Sequence, residues 1–228
     1  MWQQLSIWAA ETAAVFAKEW RCELRTRYAL NTLALFAFTT LVVVSSALGP
    51  LGTSTVERVT VLPVLLWVVL LFATTAGLPR IFVHEEETGT ATALRLAANP
   101  AAVFAGKALF NLVLVLALEL LITPLFLIMM QLTVESVGLF VAVLAAGGFG
   151  LAVASTLIAA IVGQTRGQGT LFAVLSFPVL LPLLIFAVQL TRAAVAGEPP
   201  GDGLRVLLLY DGSITVASLM LFPVVWNP

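Results

Sequence analysis

Charged residues are scarce in this chain of 228 residues: lysine, arginine, aspartate and glutamate together make up only 10% of it. A soluble domain usually carries about 25% of such residues. Hydrophobic residues reach 61%, and the mean hydropathy is +1.07. A chain this apolar cannot bury its hydrophobic surface in one soluble core, so we expect lipid to surround it. The net charge of −1 gives no indication of nucleic-acid binding.

Cysteine and histidine are almost missing. The single cysteine, Cys22, excludes an internal disulfide and a cysteine metal cluster, and the single histidine, His84, excludes a multi-histidine metal site. Imidazole is a common ligand of haem iron, but His84 stands beside three glutamates and has no evident second axial ligand. We therefore expect neither a metal nor a cofactor to be bound directly by this chain.

Long apolar runs are abundant, and about 20 such residues cross a bilayer. Six runs qualify, which predicts an all-α polytopic membrane protein. Because no tandem repeat and no separate soluble domain is evident, we predict one six-helix transmembrane domain over residues 29–228. Its spans are expected at residues 29–48, 59–79, 108–131, 137–162, 170–190 and 206–225.

Basic residues are distributed unevenly between the two sides of these spans. With the N-terminus inside, eight lysines and arginines fall on the inner side and three on the outer side. The positive-inside rule then places both termini in the cytoplasm. The inner residues are Lys18, Arg21, Arg25, Arg27, Arg80, Arg95, Lys107 and Arg166, and the outer ones are Arg58, Arg192 and Arg205.

Residues 1–28 predict an amphipathic helix. They lack the long apolar run and the basic start of a signal peptide. Apolar residues recur at helical spacing from Trp2 to Leu24, and Glu11, Lys18 and Arg25 lie on the opposite face. Such a helix is typical of the membrane interface, here the inner leaflet. An elbow before the first span and a simple anchor are both compatible with it.

A charged segment, residues 80–107, separates the second span from the third, and we call it the island. Its glutamates follow His84, and carboxylates are favoured in the first turn of a helix, so we expect a short helix to begin there. We expect that helix to end at Asn99-Pro100, since proline breaks a helix. A second helical stretch then leads into the third span. The apolar face of the island helix is small: Ala91, Leu94, Ala97 and Ala98.

The order of residues in the island resembles the cytoplasmic loop of type-2 ABC exporter permeases, where a coupling helix inserts into the ATPase subunit. Gly106-Lys107 does not end a phosphate-binding loop, because Ala101 replaces its first glycine and Ala108 its Ser or Thr. We therefore expect a non-enzymatic subunit whose partner hydrolyses ATP. The resemblance implies these residues for coupling to that ATPase: Glu85, Glu86, Glu87, Gly89, Leu94, Pro100, Lys107 and Arg166.

Six spans in so short a chain resemble the CcmB family, the permease-like membrane subunits of the haem exporter for cytochrome c maturation. Four segments carry this resemblance: the island through Asn111, the GQTRGQG segment at 163–169, the proline-punctuated stretch at 177–191, and the region around Tyr210-Asp211. In the family pattern, leucine follows Gly-Ser/Thr directly, whereas Ala91-Thr92-Ala93 intervene here.

The resemblance implies a prokaryotic inner-membrane subunit. It would work with a CcmA-like ATPase, a CcmC-like haem-handling membrane protein and a CcmE-like haem chaperone. ATP hydrolysis in the partner would drive haem export or release of the loaded chaperone, with haem as the handled species. A homodimer stays open, as does haem passage through this subunit. The alternative is a permease of the same architecture that exports a lipid, a drug or a polysaccharide intermediate.

Three residues within the spans are candidates for intramembrane function. A charge on Glu119 would cost about 2.5–3.5 kcal/mol at the bilayer centre, so this side chain should face protein or water. It is either a conformational or substrate-path residue, or a neutral acid bonded to a Ser or Thr of a neighbouring span. Pro178 and Pro182 stand one turn apart, which predicts a hinge or a fixed bend.

Three other features predict structure rather than function. Asp211 is expected near the outer end of the sixth span, paired with Arg192 or Arg205 as a topology anchor. Trp226 fits an interfacial aromatic belt. A stripe of small residues on the fourth span predicts close helix packing. It consists of Ala142, Ala146, Gly150 and Ala154.

Overall fold

The computed structural model describes residues 2–48, 55–78, 82, 85, 89–163 and 168–226, of which 2–5, 48, 55–57 and 168–173 are described by their backbone only. These ranges contain no β-strand, and the all-α prediction is confirmed. Eight helices have both ends within them. In chain order they are α1 (Trp2–Thr26), α2 (Tyr28–Leu48), α3 (Thr55–Gly77), α4 (Ala91–Ala97), α5 (Pro100–Met130), α6 (Val137–Gly163), α7 (Gln168–Ala196) and α8 (Gly203–Trp226).

Six of these helices, α2, α3 and α5 to α8, are long and apolar enough to cross a membrane, which confirms a multi-pass membrane protein. The third span differs from its prediction because α5 begins at Pro100 and is 31 residues long. At 1.5 Å per residue it measures about 46 Å, well beyond the roughly 30 Å of a hydrocarbon core. The second helical stretch of the island and the third span are thus one helix.

The break before α5 has a local cause. Asn99 accepts a hydrogen bond from the backbone N–H of Ala101 at 3.0 Å, which caps the helix. Pro100 takes the first helical position, where a missing N–H costs nothing. The predicted stop at Asn99-Pro100 is therefore confirmed.

The central helix of the bundle is α6, which packs against α5, α7 and α8. Its small residues make room for neighbours. A Cβ on Gly147 would lie 2.1 Å from the ring of Trp67, which is fully buried on α3 and donates a hydrogen bond to Thr191 of α7 at 2.9 Å. Ala146, Gly150 and Ala154 of the predicted stripe are buried too. The packing prediction is confirmed.

The N-terminal helix α1 is amphipathic, and the side that it turns toward the protein carries both apolar and acidic residues. It packs along α5, and the residues on that side, among them Val15, Glu19 and Glu23, are buried. Leu24, from the predicted apolar stripe, is 51% exposed. Phe16 and Trp20 of the same stripe are half-buried and pack against the core of the bundle, so protein covers only part of the stripe. A single left-handed residue, Arg27 (φ 52°), connects α1 to α2.

Candidate functional site

The island is centred on α4, a seven-residue helix seated on the bundle. Ala91 is buried, and Leu94 packs partly buried against the same apolar cluster. On the other side, Leu96 is 86% exposed. Gly89 precedes the helix with φ 68°, a left-handed conformation that glycine adopts without strain. The island therefore holds a helix with an anchored inner face and a leucine on its outer face.

The acidic cluster does not occupy the first turn of α4. That helix begins at Ala91 and has no acidic residue in its first turn, so this prediction is wrong. The carboxylate of Glu85 instead lies before α4 and contacts two lysines. Glu86, Glu87, His84 and Arg166 lie outside the described residues.

Four charged side chains meet beneath the island, and we call them the ion quartet: Lys18, Glu19, Glu85 and Lys107. Lys107 Nζ lies 2.8 Å from Glu19 Oε1 and 3.0 Å from Glu85 Oε2. Lys18 Nζ lies 3.0 Å from Glu19 Oε1 and also contacts Glu85 Oε1. The charges alternate and cancel, so the quartet ties α1, the island and α5 together without a net charge.

The quartet is largely excluded from water. The side chain of Lys107 is fully buried, those of Glu85 and Glu19 are 5% and 9% exposed, and that of Lys18 is 44% exposed. Burial alone would raise the pKa of Glu19, but the charges of Lys107 and Lys18 hold it below its ordinary value of 4.5. Burial alone would lower the pKa of Lys18, but Glu19 and Glu85 raise it above 10.5. Both groups therefore stay ionised at neutral pH.

Gly106 explains how α1 comes close enough to form the quartet. A Cβ at this position would lie 2.8 Å from the backbone oxygen of Thr12 and 2.8 Å from Cβ of Val15. The absence of a side chain lets α1 lie directly on α5, and the next residue, Lys107, then reaches Glu19. In Gly106-Lys107 the glycine thus permits helix contact and the lysine completes an ion network.

The other side of the island is held by aromatic rings. The guanidinium carbon of Arg95 lies 5.0 Å from the ring centroid of Trp226, within cation–π distance. Trp226 stacks on Phe222 at 5.5 Å between centroids, and Phe82 lies 5.9 Å from both rings. Trp226 is only 2% exposed, so its prediction as an interfacial belt residue is wrong. The aromatic cluster connects α4 to the end of α8.

The predicted coupling residues thus fall into two groups. Glu85 and Lys107 are buried in the quartet and cannot contact a partner protein while their ion pairs are intact. Gly89 is exposed and Pro100 is half-buried. Leu96 is the exposed apolar side chain that sequence reasoning missed. Its signal was the two-residue spacing from Leu94, which places the two leucines on different sides of a helix.

Comparison with known proteins gives this architecture a family. The profile of the CcmB protein family matches residues 10–226, nearly the whole chain. The chain belongs to the CcmB family. Heme exporter protein B of Bradyrhizobium diazoefficiens is 28% identical over 213 residues, which cover 92% of this chain and 93% of that protein. Heme exporter protein B of Paracoccus denitrificans is 32% identical over 177 residues, or 77% of this chain and 78% of that protein.

Within the spans of this CcmB-family chain, Glu119 is 5% exposed and its carboxyl lies against α6. A Cβ on Gly148 would be 2.6 Å from Glu119 Oε1. The described residues offer this oxygen no hydrogen-bond partner, so the expected Ser or Thr donor is not found there. The absence of a side chain at Gly148 makes room for the carboxyl.

Asp211 occupies a similar notch on another side of α6. It is 3% exposed, and a Cβ on Gly150 would lie 2.3 Å from Asp211 Oδ1. Neither carboxyl oxygen has a hydrogen-bond partner among the described residues, and Arg192 and Arg205 are both exposed without pairing to it. The predicted topology anchor is therefore wrong. The six residues from Arg205 to Asp211 correspond to about 600° of helical rotation, which places the two on different faces of α8.

The two prolines of α7 lie within one continuous helix. Pro182 has no N–H for the carbonyl of Pro178, and its ring crowds the preceding turn. In that turn, the carbonyl of Val179 accepts a hydrogen bond from the hydroxyl of Tyr210 on α8. A side chain of the neighbouring span thus supports the proline-weakened turn.

Proposed function

We propose that this CcmB-family chain is the membrane subunit of a haem exporter in the prokaryotic inner membrane, with both termini in the cytoplasm. Two relatives that align with most of its length carry the name Heme exporter protein B, and the chain has the six spans that a membrane subunit requires. Haem is then the transported or handled species. CcmC-like and CcmE-like proteins are the proposed haem-handling partners, and ATP hydrolysis helps to release the loaded chaperone.

We also propose that a CcmA-like ATPase docks on α4 and drives the spans through it. The observation that carries this proposal is the two-sided anchoring of an exposed helix. Leu96 projects from α4 with 86% of its surface exposed, while the helix beneath it is joined to the rest of the bundle on both sides. An ATPase that binds Leu96 and displaces α4 would therefore also displace the helices that the island contacts.

Force on α4 has two routes into the bundle. On one side Glu85 contacts Lys18 and Lys107, so displacement of the island pulls on α1 and α5. On the other side Arg95 rests on Trp226, so the same displacement reaches α8. In this proposal Gly89 provides the turn into α4. Leu94 seats the helix and Pro100 starts α5, while Glu86, Glu87 and Arg166 stay predicted contacts of the ATPase.

Haem staining of c-type cytochromes tests the exporter proposal. A deletion strain of the source organism should lose covalent haem in these cytochromes, and the wild-type gene should restore it. A strain that carries Leu96→Asp should stay deficient although the protein is present in the membrane. Normal cytochromes in the deletion strain would contradict the haem proposal and favour a permease of the same architecture with another substrate.

A further inference from the structure

Three arginines stand where α1 passes into α2, and we call them the arginine row: Arg21, Arg25 and Arg27. The side chains of all three are exposed. Arg21 and Arg25 lie one turn apart on α1, and Arg27 is the left-handed residue that connects the two helices. Neither the ion quartet nor the proposed docking of an ATPase on α4 makes use of this row.

The acidic residues of the same segment lie on the opposite side of α1. Glu19 and Glu23 are both buried: Glu19 contacts two lysines of the quartet, and Glu23 Oε1 accepts a hydrogen bond from the backbone N–H of Leu30 at 2.9 Å. Arg21 is two residues from each glutamate, and Arg25 is two residues from Glu23. Two residues correspond to about 200° of helical rotation, so the arginines face away from the carboxylates.

The ion pairs of the described residues leave the row out. Each one joins members of the quartet, and none involves Arg21, Arg25 or Arg27. The surface that the described residues expose at the junction of α1 and α2 is therefore cationic, and its partner must come from outside the chain.

The row also lies at the boundary of the membrane. The apolar span of α2 begins at Tyr28, directly after Arg27. A hydrocarbon core of about 30 Å within a bilayer of about 40–45 Å leaves a headgroup layer of about 5–8 Å on each side. Arg25 is within one turn of the span, and arginine side chains are long enough to extend into such a layer. Beyond Tyr28, α2 exposes apolar side chains, among them Leu35 and Phe38.

We propose that the arginine row binds the headgroups of anionic phospholipids. The guanidinium group pairs with a phosphate through two parallel hydrogen bonds. A zwitterionic lipid also has a phosphate, but its own ammonium group cancels the charge. Three cations at the membrane surface therefore gain most from a lipid with a net negative charge. The acyl chains of the bound lipid would lie along the exposed apolar side of α2.

The loop between α7 and α8 provides a comparison within the same molecule. Two exposed arginines, Arg192 and Arg205, flank this loop, but the loop itself carries the exposed acidic residues Glu198 and Asp202. Positive charge is therefore matched there by negative charge nearby in the chain. We expect no preference for anionic lipid from this second pair of arginines.

Native mass spectrometry of the purified full chain tests the proposal. The protein is held in detergent with equal amounts of phosphatidylglycerol and phosphatidylcholine of matched acyl chains, and the lipids that stay bound are counted. We expect the wild type to retain phosphatidylglycerol about tenfold over phosphatidylcholine, or about twofold for each arginine, since salt screens exposed charges. Equal retention of the two lipids would overturn the proposal and favour an acidic protein surface as the partner of the row.

Two double variants that each remove two positive charges locate the preference. In Arg21→Gln/Arg25→Gln it should fall to about twofold, because only Arg27 remains. In Arg192→Gln/Arg205→Gln it should stay at the level of the wild type. A preference that survives Arg21→Gln/Arg25→Gln intact would overturn the assignment to the row. An equal fall in both variants would also overturn it, because net charge alone would then set the preference.

A measurement on the wild type alone covers the case in which Arg21→Gln/Arg25→Gln does not fold. Thermal unfolding is followed in phosphatidylglycerol vesicles and in phosphatidylcholine vesicles, each at low salt and at about 1 M salt, where the Debye length is only about 3 Å. We expect a higher unfolding temperature in phosphatidylglycerol at low salt and a much smaller difference at high salt. No difference at low salt, or a difference that salt does not reduce, would overturn the proposal.

Discussion

The end of the bundle beside α4 and the middle of its spans accommodate buried carboxyl groups in opposite ways. At the end beside α4, Glu19 and Glu85 are matched by two lysines within hydrogen-bond distance. In the interior, Glu119 and Asp211 each lie against a glycine of α6 and have no cationic partner among the described residues. Glu19 and Glu85 therefore link helices through ion pairs, whereas Glu119 and Asp211 fit into the space that a glycine of α6 leaves.

Removal of a quartet lysine should have the largest effect. Lys107→Met keeps the length of a fully buried side chain but leaves Glu19 and Glu85 with Lys18 alone. We expect the free energy of unfolding in detergent to fall by about 3–5 kcal/mol, the usual cost of an uncompensated buried charge. Addition of Glu19→Gln should recover part of this loss, and a double variant no more stable than Lys107→Met would contradict the ion tie.

Filling of a glycine notch should come next. Gly150→Ala would place a Cβ 2.3 Å from Asp211 Oδ1 and 2.6 Å from a methyl group of Leu183, so overpacking should cost about 1–3 kcal/mol. Gly212→Ala is the matched control in the adjacent span, where a Cβ meets nothing within 4 Å. It should be neutral or stabilising, since alanine favours a helix. Thermal unfolding of both variants checks the notch, and equal stability would argue against it.

Acidification tests the ion pairs of Glu19 in the quartet. Because the pKa of folded Glu19 lies below its ordinary value of 4.5, its contribution to stability is complete above pH 4.5 and is lost as the pH falls below it. The wild type should therefore lose stability below pH 4.5 more steeply than Glu19→Gln, in unfolding measured across pH 3–7. Identical pH profiles of the two proteins would show that the carboxylate of Glu19 is not stabilised by its lysines.

Substitution of the interior carboxyl should have the smallest effect on stability. Glu119→Gln removes no ion pair and keeps the shape of the side chain, so the unfolding free energy should change by less than about 1 kcal/mol. A large loss of stability would mean that Glu119 has a partner and resembles the quartet. Retained stability with lost haem attachment to c-type cytochromes would instead identify Glu119 as a substrate-path residue.

Local features of the chain were predictable from sequence. The six spans follow from the length of apolar runs, and the break before α5 follows from Asn99-Pro100, because each depends on residues close together in the chain. The amphipathic character of α1 follows from its periodicity. Periodicity defines two faces, however, and does not say whether water, lipid or protein covers them. For this reason Glu19 and Glu23 were not recognised as buried.

Long-range pairings were not predictable. Lys18 meets Glu85, and Arg95 meets Trp226, across large separations in sequence. Nothing near Lys107 in the chain marks it as an ion-pair partner of α1. The pair Gly106-Lys107 resembles the end of a phosphate-binding loop, which its neighbours exclude, and gives no indication of an ion pair. These pairs depend on how the helices pack, which a single sequence leaves open.

Co-purification of the CcmA-like ATPase tests the central claim, that this partner drives the bundle through α4. Wild type, Leu96→Asp and Val137→Asp are expressed with the ATPase and isolated by a tag on the membrane subunit. Val137 is the matched control, because it is also an exposed apolar residue and lies at the opposite end of the spans. We predict at least about tenfold less ATPase with Leu96→Asp and none of this loss with Val137→Asp. Full recovery of the ATPase with Leu96→Asp would contradict docking on α4.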